Sequence, residues 1–269
     1  VTVHYTGWLY ENGEKMLSKT QIEQYKTDGY VVPDFTMPEN IINKIEESHN
    51  KLLSKHPEFK NYCPAILSYD ESFLEYCSDE TILSYVEQLI GPDFALWNSS
   101  FFAKPAIDGH ATPWHQDGQY WPINPLATCT VWLAIDDSNT ENGCLRFIKG
   151  SHLDKRLKSH NINDNKNLTL NQELDKEEFN ETEAVDLILK RGQISLHDVY
   201  LVHGSEANKS SKSRRAITMR FMPTTSYFDH QMVKDKNLFS KLNVSKYADR
   251  KIYHMRGKDI SGKNNLTYI

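Results

Sequence analysis

Long apolar runs are missing from this 269-residue chain: none approaches the ~20 residues that a helix needs to cross a bilayer, and no charged-then-apolar stretch of the secretory kind opens it. No membrane partner is expected. Close cysteine pairs are missing too. Cys63, Cys77, Cys129 and Cys144 are widely spaced, which argues against a zinc site or a disulfide framework and makes a reducing cytoplasm the expected compartment. Basic residues are not massed beyond short groups such as Lys212, Arg214 and Arg215, and the formal charge is -5, so no nucleic-acid partner is expected. Repeats and low-complexity tracts are absent. What is present, 39% hydrophobic and 25% charged residues, is the balance of a globular protein able to bury a substantial core.

The first fifteen residues, VTVHYTGWLYENGEK, stand apart from the rest. They resemble a strand-and-turn piece of FKBP-type prolyl isomerases, and the likeness ends at Met16. Fifteen residues supply neither that family's barrel nor its active site. The segment is expected to be upstream or fused sequence, or a private N-terminal arm, with residues 16–269 forming one domain. From Met16 the pattern is regular. Leu17, Ile22 and Tyr25, with Ser18 and Thr20 as caps, predict a short helix that Gly29 breaks, and Tyr30, Val31 and Val32 read as a strand. Apolar residues at helical spacing predict helices over 38–53 and 80–90. Short, partly alternating strands follow over 94–104, 128–135, 144–148, 193–196 and 216–222. Residues 154–186 are polar and show no core face, which predicts a surface insertion, partly helical. Helices first and strands after predict a mainly β fold, a sandwich or barrel with supporting helices on one side.

Thr112-Pro113-Trp114-His115-Gln116-Asp117-Gly118 carries the most chemistry. On an extended chain His115 and Asp117 point to one face, so an imidazole nitrogen and a carboxylate oxygen can reach one metal ion. A third ligand must come from elsewhere. Two His and one carboxylate leave three octahedral positions open, the preference of non-haem iron(II) oxygenases. Alone, His-x-Asp is a common chance pattern and reads more readily as hydrogen-bonded surface residues. Eighty-eight residues beyond His115 comes Leu201-Val202-His203-Gly204-Ser205, after a strand-like run, and eleven residues further Arg214 opens another strand. A dicarboxylate that chelates a metal through its keto acid end needs its far carboxylate held. A guanidinium fork does this with two charge-assisted hydrogen bonds, and a hydroxyl such as that of Ser205 would complete the clamp.

With these pieces together, the chain resembles the phytanoyl-CoA dioxygenase family of Fe(II)/2-oxoglutarate oxygenases. The matching segments are His115-Gln116-Asp117, Val131-Trp132-Leu133-Ala134, Asn142-Gly143-Cys144-Leu145, Gly150-Ser151-His152, then His203-Gly204-Ser205, Asn208 and Arg214, in family order across residues 94–222. Lys149 stands where the family commonly has Pro before the Gly-Ser-His turn. The resemblance implies a double-stranded β-helix, a cupin-like jelly-roll, with supporting helices. It implies that His115, Asp117 and His203 bind Fe(II) and that Arg214 binds the distal carboxylate of 2-oxoglutarate, the co-substrate used with dioxygen (O2). Trp132, Ser205, Thr130 and Asn98 are the further candidates to line the co-substrate pocket.

Rivals exist for several positions. His197 and His110 compete for the metal, but neither is followed by Gly-Ser with an Arg eleven residues on. Arg215 should face away from Arg214, while Arg220 shares its face about 20 Å along the strand. The carboxylate of Asp117 favours hydroxylation over halogenation, which needs that metal position for halide. Trp114, Tyr120 and Trp121 flank the metal motif, as pocket wall or as packing. Together with Lys104, Arg146 and Lys149 they suggest a small anionic or zwitterionic substrate. The alternatives are a non-catalytic sensor of metal and 2-oxoglutarate on the same fold, a metal-dependent dioxygenase that does not use 2-oxoglutarate, and a prolyl isomerase fragment.

Overall fold

A computed structural model describes residues 2–3, 9–11, 14–234 and 249–269. Helix α1 (Lys19–Asp28) begins where Ser18 and Gln21 cap each other: the Gln21 N–H donates to Ser18 Oγ and the Ser18 N–H to Gln21 Oε1. It ends at Gly29, whose left-handed backbone favours glycine. Helices α2 (Glu39–Lys55) and α3 (Glu80–Ile90) follow, the second capped by Asp79, which accepts from the Ile82 N–H. Each turns an apolar stripe inward, Ile42, Ile45 and Leu52 on α2, Ile82, Leu83 and Val86 on α3.

The strands that frame the molecule are β1 (Tyr30–Val31), β2 (Phe94–Lys104), β3 (Thr112–His115), β4 (Cys129–Ala134), β5 (Leu145–Ile148), β6 (Ala184–Leu187), β7 (Ile194–Asp198), β8 (His203–Ser205), β9 (Arg214–Pro223), β10 (Ile252–Arg256) and β11 (Leu266–Thr267). They form a large sheet in the order β11-β10-β2-β9-β4-β7-β1 and a small one in the order β6-β5-β8-β3. Pairing is antiparallel throughout, apart from the β10–β11 edge. This is the expected jelly-roll. Strand alternation divides the large sheet into two faces. Val131, Leu133, Ile217, Met219 and Phe221 pack with the three helices, while Trp132, Ala134 and Ala216 pack against Leu145, Phe147 and Leu187 of the small sheet. Full burial stabilises each large apolar side chain by roughly 1.5–3 kcal/mol. The helix layer therefore dictates which face of the sheet is turned toward the site.

Several features differ from the sequence reading. Residues 154–186 are helical only in the 3-10 turns Lys176–Glu178 and Glu181–Glu183: an antiparallel ribbon pairs His160–Ile162 with Gln172–Leu174, and the segment ends in β6, an edge of the small sheet. Leu174 is buried there with Ile148 and Val202, so the stretch has an apolar anchor that its polar composition hides. β10 and β11 extend the large sheet from a part of the chain in which the sequence pattern predicts no strand. Among the described residues of the N-terminal segment, Thr2–Val3, Leu9–Glu11 and Glu14–Met16 form a separate three-stranded sheet.

His49 of α2 is buried and stacked on Phe101 with ring centroids 3.7 Å apart, and neither ring nitrogen has a partner. Burial, with the nearby charge of Arg215, pulls its pKa down to about 4, against about 6.5 in an unfolded chain. The neutral form is thus favoured by folding, and the stability tied to it is complete above pH 6.5 and lost as pH falls toward 4. Between pH 7.5 and 5, wild type is expected to lose about 2 kcal/mol from this group alone, and a His49→Phe variant to lose that much less. Urea unfolding of the two proteins at both pH values checks this; equal losses would mean that His49 is hydrated.

Candidate functional site

β3 and β8 lie side by side in the small sheet with His115 opposite His203. Gln116 keeps the chain extended, with φ -109° and ψ 133°, so Asp117 returns to the face of His115 before a 3-10 turn begins. Two strands thereby bring three side chains to one point. His115 Nε2 lies 3.6 Å and His203 Nε2 4.0 Å from Asp117 Oδ1, and the two imidazole centroids are 4.2 Å apart. All three residues are buried, and one potential ligand atom from each lies within 4.8 Å of the others. Each histidine donates its Nδ1–H to the carbonyl two residues back, His115 to Pro113 at 2.8 Å and His203 to Leu201 at 2.9 Å. That fixes the tautomer and leaves both Nε2 lone pairs free to bind a metal.

Burial would raise the Asp117 carboxyl, but Arg220 and the neighbouring histidines outweigh it and hold the group well below the usual carboxylate range. Burial, reinforced by His115, pushes His203 well below the ordinary histidine value. An ionised carboxylate beside a neutral imidazole is the protonation state that metal binding requires. Thr130 Oγ1 donates to Asp117 Oδ2 at 3.3 Å, and His197 Nε2 stands 3.6 Å from the same oxygen.

The same narrow cavity reaches Arg214, which is 1% exposed. Its Nε and Nη2 both donate to the carbonyl of Gly143, at 3.2 and 3.0 Å, and its Nη1 has no partner. Burial lowers its pKa to about 10, so it stays charged at neutral pH. Among the described residues no carboxylate lies within 4 Å of it. Ser205 Oγ is likewise buried without a partner, and the Trp132 ring lies 5.3 Å from the guanidinium carbon. Gly143 is irreplaceable here. Its φ is +77°, and a Cβ would stand 2.3 Å from the Glu206 carbonyl, so any side chain would displace the carbonyl that aims Arg214.

Of the residues singled out from the sequence, His115, Asp117, Thr130, Trp132, His203, Ser205 and Arg214 line this one cavity. Asn98 does not. It shares the inward face of β2, but its amide donates to the Pro64 carbonyl and Ser100 Oγ, beside a register shift that leaves Trp97 unpaired. Of the rivals, His197 and Arg220 line the cavity, whereas His110 offers its carbonyl to Lys104 and Arg215 faces α2, paired with Asp136 and Glu46. Phe102, Thr112, Leu145 and Thr218 complete the lining and went unrecognised. Alternation from Arg214 would have found Thr218, whereas the other three come from other strands. The cations proposed for the substrate are engaged elsewhere. Lys104 is buried and donates to the carbonyls of His110 and Glu206, Arg146 pairs with Glu181 and Asp186, and Lys149 pairs with Asp28. Trp114 packs on Phe179, while Tyr120 and Trp121 line a second, larger cavity.

Buttressing hydrogen bonds hold β3 and β8. Ser151 Oγ accepts from the Val202 N–H beside His203, and the ring of His152 bonds to the Lys26 carbonyl, so the Gly-Ser-His turn braces β8 against α1. Gln116, fully buried between His115 and Asp117, donates to the carbonyls of Arg156 and Tyr200 and accepts from the Lys158 N–H, while its own N–H donates to His160 Nε2. The 154–186 segment is thus tied directly to the strand end that carries His115 and Asp117.

A family model for phytanoyl-CoA dioxygenase (PhyH) matches residues 14–216, most of the chain and every residue of the cavity except Thr218 and Arg220. The chain belongs to the phytanoyl-CoA dioxygenase family, whose members are 2-oxoglutarate-dependent non-haem iron oxygenases. It is 28% identical over 206 residues to the phytanoyl-CoA dioxygenase domain-containing protein 1 homolog of Dictyostelium discoideum, covering 76% of this chain and 73% of that one. It is 28% identical over 184 residues to the peroxisomal phytanoyl-CoA dioxygenase of Homo sapiens, covering 66% and 52%. The chain spans about half the length of the mammalian enzymes it matches. Among solved structures, the non-heme monooxygenase ThoJ superposes with a TM-score of 0.64 at 24% identity, over 77% of this chain and 78% of that one. EvdO2 from Micromonospora carbonacea var. aurantiaca complexed with 2-oxoglutarate gives 0.65 at 19%, over 77% and 91%. These structures share the fold.

Replacing Gln116 by Leu removes three side-chain hydrogen bonds worth about 1 kcal/mol each. The variant is expected to lose about 3 kcal/mol of stability in urea unfolding, and limited proteolysis within residues 163–172 should accelerate. An unchanged cleavage rate would mean that the segment is held independently of the metal motif.

Proposed function

We propose that the protein is an Fe(II)- and 2-oxoglutarate-dependent dioxygenase that hydroxylates an unactivated C–H bond of a small molecule. The observation that carries this reading is one cavity with two complementary ends. At one end two imidazole lone pairs and an ionised carboxylate converge; at the other lie an uncompensated, wholly buried guanidinium and an unpaired hydroxyl. A keto dicarboxylate bound to a metal matches both ends at once.

On this reading His115, Asp117 and His203 hold Fe(II), and Arg214 with Ser205 holds the distal carboxylate of 2-oxoglutarate over the Trp132 ring. Bound iron with 2-oxoglutarate and O2 supplies the oxidising power to convert C–H into C–OH, with succinate and carbon dioxide as the co-products. The work of the chain is placement. The Pro113 and Leu201 carbonyls orient the imidazoles, Thr130 steadies the free oxygen of Asp117, and the Gly143 carbonyl aims the Arg214 fork. Apolar walls from Phe102, Leu145 and Trp132 limit water. Asp117 fills the position that a halide would need, which favours hydroxylation. The four cysteines are buried thiols, in keeping with a reducing compartment such as the cytoplasm, and among the described residues no helix is long and apolar enough to cross a membrane. With Lys104, Arg146 and Lys149 engaged by protein partners, a charged small substrate needs support from other residues.

Succinate formation from 2-oxoglutarate under oxygen, with iron(II) and ascorbate, is the direct test, because uncoupled turnover does not require the substrate. Wild type should form succinate, His115→Ala should not, and calorimetry with Ni(II) should show that variant losing metal affinity. Binding of metal and 2-oxoglutarate without succinate would indicate a sensor, and failure to bind either would refute the reading.

The Arg214→Ala variant removes a charge-assisted pair of hydrogen bonds and is expected to raise the 2-oxoglutarate concentration for half-saturation by about tenfold to a hundredfold, while Ni(II) still binds. An unchanged requirement would point to a metal-dependent dioxygenase that does not use 2-oxoglutarate.

A further inference from the structure

The narrow cavity adjoins a larger one of about 530 Å³, and Phe102, Asp117 and Arg220 line both. Arg220 is therefore at the junction between the metal ligands and the space left for a substrate. It is 4% exposed and only partly satisfied. Nη1 donates to Ser100 Oγ at 2.6 Å, Nη2 stands 3.8 Å from Asp117 Oδ1, beyond hydrogen-bond range, and Nε has no partner. The Trp121 ring, a wall of the larger cavity, lies 4.9 Å from its guanidinium carbon. The other charged residues lining that cavity, Glu58, Asp164 and Lys166, are exposed to solvent.

Charge balance gives this position its meaning, and the argument rests on the dioxygenase reading above. A divalent metal is answered by Asp117 and the keto acid carboxylate of the co-substrate, and Arg214 by the distal carboxylate. Arg220 then retains a full positive charge on a side chain only 4% exposed, with its Nε unused. A buried cation in that state favours an anionic partner strongly. Its neighbours Trp121, Tyr120, Phe59 and Tyr62 offer flat apolar surface for the body of such a molecule.

We infer that Arg220 is the substrate anchor: it binds the carboxylate of a small organic acid whose apolar or aromatic body fills the larger cavity and brings a C–H bond beside Asp117. The sequence had placed Arg220 on the face of Arg214, and the strand running along the cavity turns that alignment into two anion subsites on one strand. Arg214 serves the co-substrate and Arg220 the substrate.

The test uses three probes of one shape and different charge: phenylpropanoate, phenylpropanamide and phenylpropylamine. Their affinities are measured by calorimetry on the full chain, metal-free and loaded with Ni(II) and 2-oxoglutarate, for wild type, Arg220→Gln and Arg220→Lys. The expected result is binding of the carboxylate to loaded wild type about tenfold or more tighter than the amide or amine. Arg220→Gln should bring the three within about twofold of one another, and Arg220→Lys should keep part of the preference. Equal affinities in wild type, or a preference that survives in Arg220→Gln, would overturn the inference. So would loss of Ni(II) binding in parallel with carboxylate binding, since Arg220 would then act only by positioning Asp117. If wild type took up neither Ni(II) nor 2-oxoglutarate but still showed an Arg220-dependent carboxylate preference, the anion subsite would stand and the dioxygenase reading would fall.

Discussion

The site depends on the two faces of β9. Its odd positions, Ile217, Met219 and Phe221, are sealed beneath three helices, and that burial obliges the even positions to face the opposite way. Arg214, Thr218 and Arg220 are consequently turned into the cavity between the sheets, where all three are buried. No other arrangement of the strand keeps the apolar set covered, because a one-residue slip would exchange the two faces. Hydrophobic burial on one side thus provides the force that holds guanidinium groups in a nearly dry cleft on the other.

Main-chain carbonyls hold several of the polar side chains in and around that cleft. Pro113 and Leu201 orient the two histidines, Gly143 orients Arg214, and His110 with Glu206 anchors Lys104. A carbonyl dipole can fix the direction of an N–H without cancelling a charge as a carboxylate would. Arg214 is therefore rigid and still electrostatically open to a ligand. Arg215, one residue along on the outer face, shows the contrast: two carboxylates neutralise it, and it works as a link between the sheet and α2. The buried side-chain amide of Gln116 extends the same logic outward, bonding the backbone of Arg156 and Lys158 in the 154–186 segment, with the His160 ring accepting from the Gln116 N–H.

Much of this was legible in the chain because the relevant signals are local and periodic. The helices at 80–90 and over most of 38–53, and the strand at 94–104, follow from apolar spacing and capping residues. The pairing of His115 with Asp117 follows from alternation over two residues. The features that escaped notice depend on contacts across the sheets. Asn98 sits beside a register shift that alternation along one strand cannot reveal, and Phe102, Thr112 and Leu145 reach the cavity from three different strands. Arg146 looked available for a ligand because its partners lie far away in the sequence, and Lys104 because its partners are main-chain carbonyls that leave no mark in it.

By itself, then, the sequence determined the inventory: a mainly β domain with leading helices, the His-x-Asp pair, a second histidine followed by Gly-Ser, and an arginine at a set distance beyond it. Those are properties of neighbouring residues, whose covalent spacing settles which way they point. The tertiary structure alone decided which charges are spent and which are free. Arg214 and Arg220 differ little from Arg146 or Arg215 as residues. They become ligand-ready only because the fold buries them away from every compensating carboxylate except Asp117, and burial is a property of the packed chain as a whole.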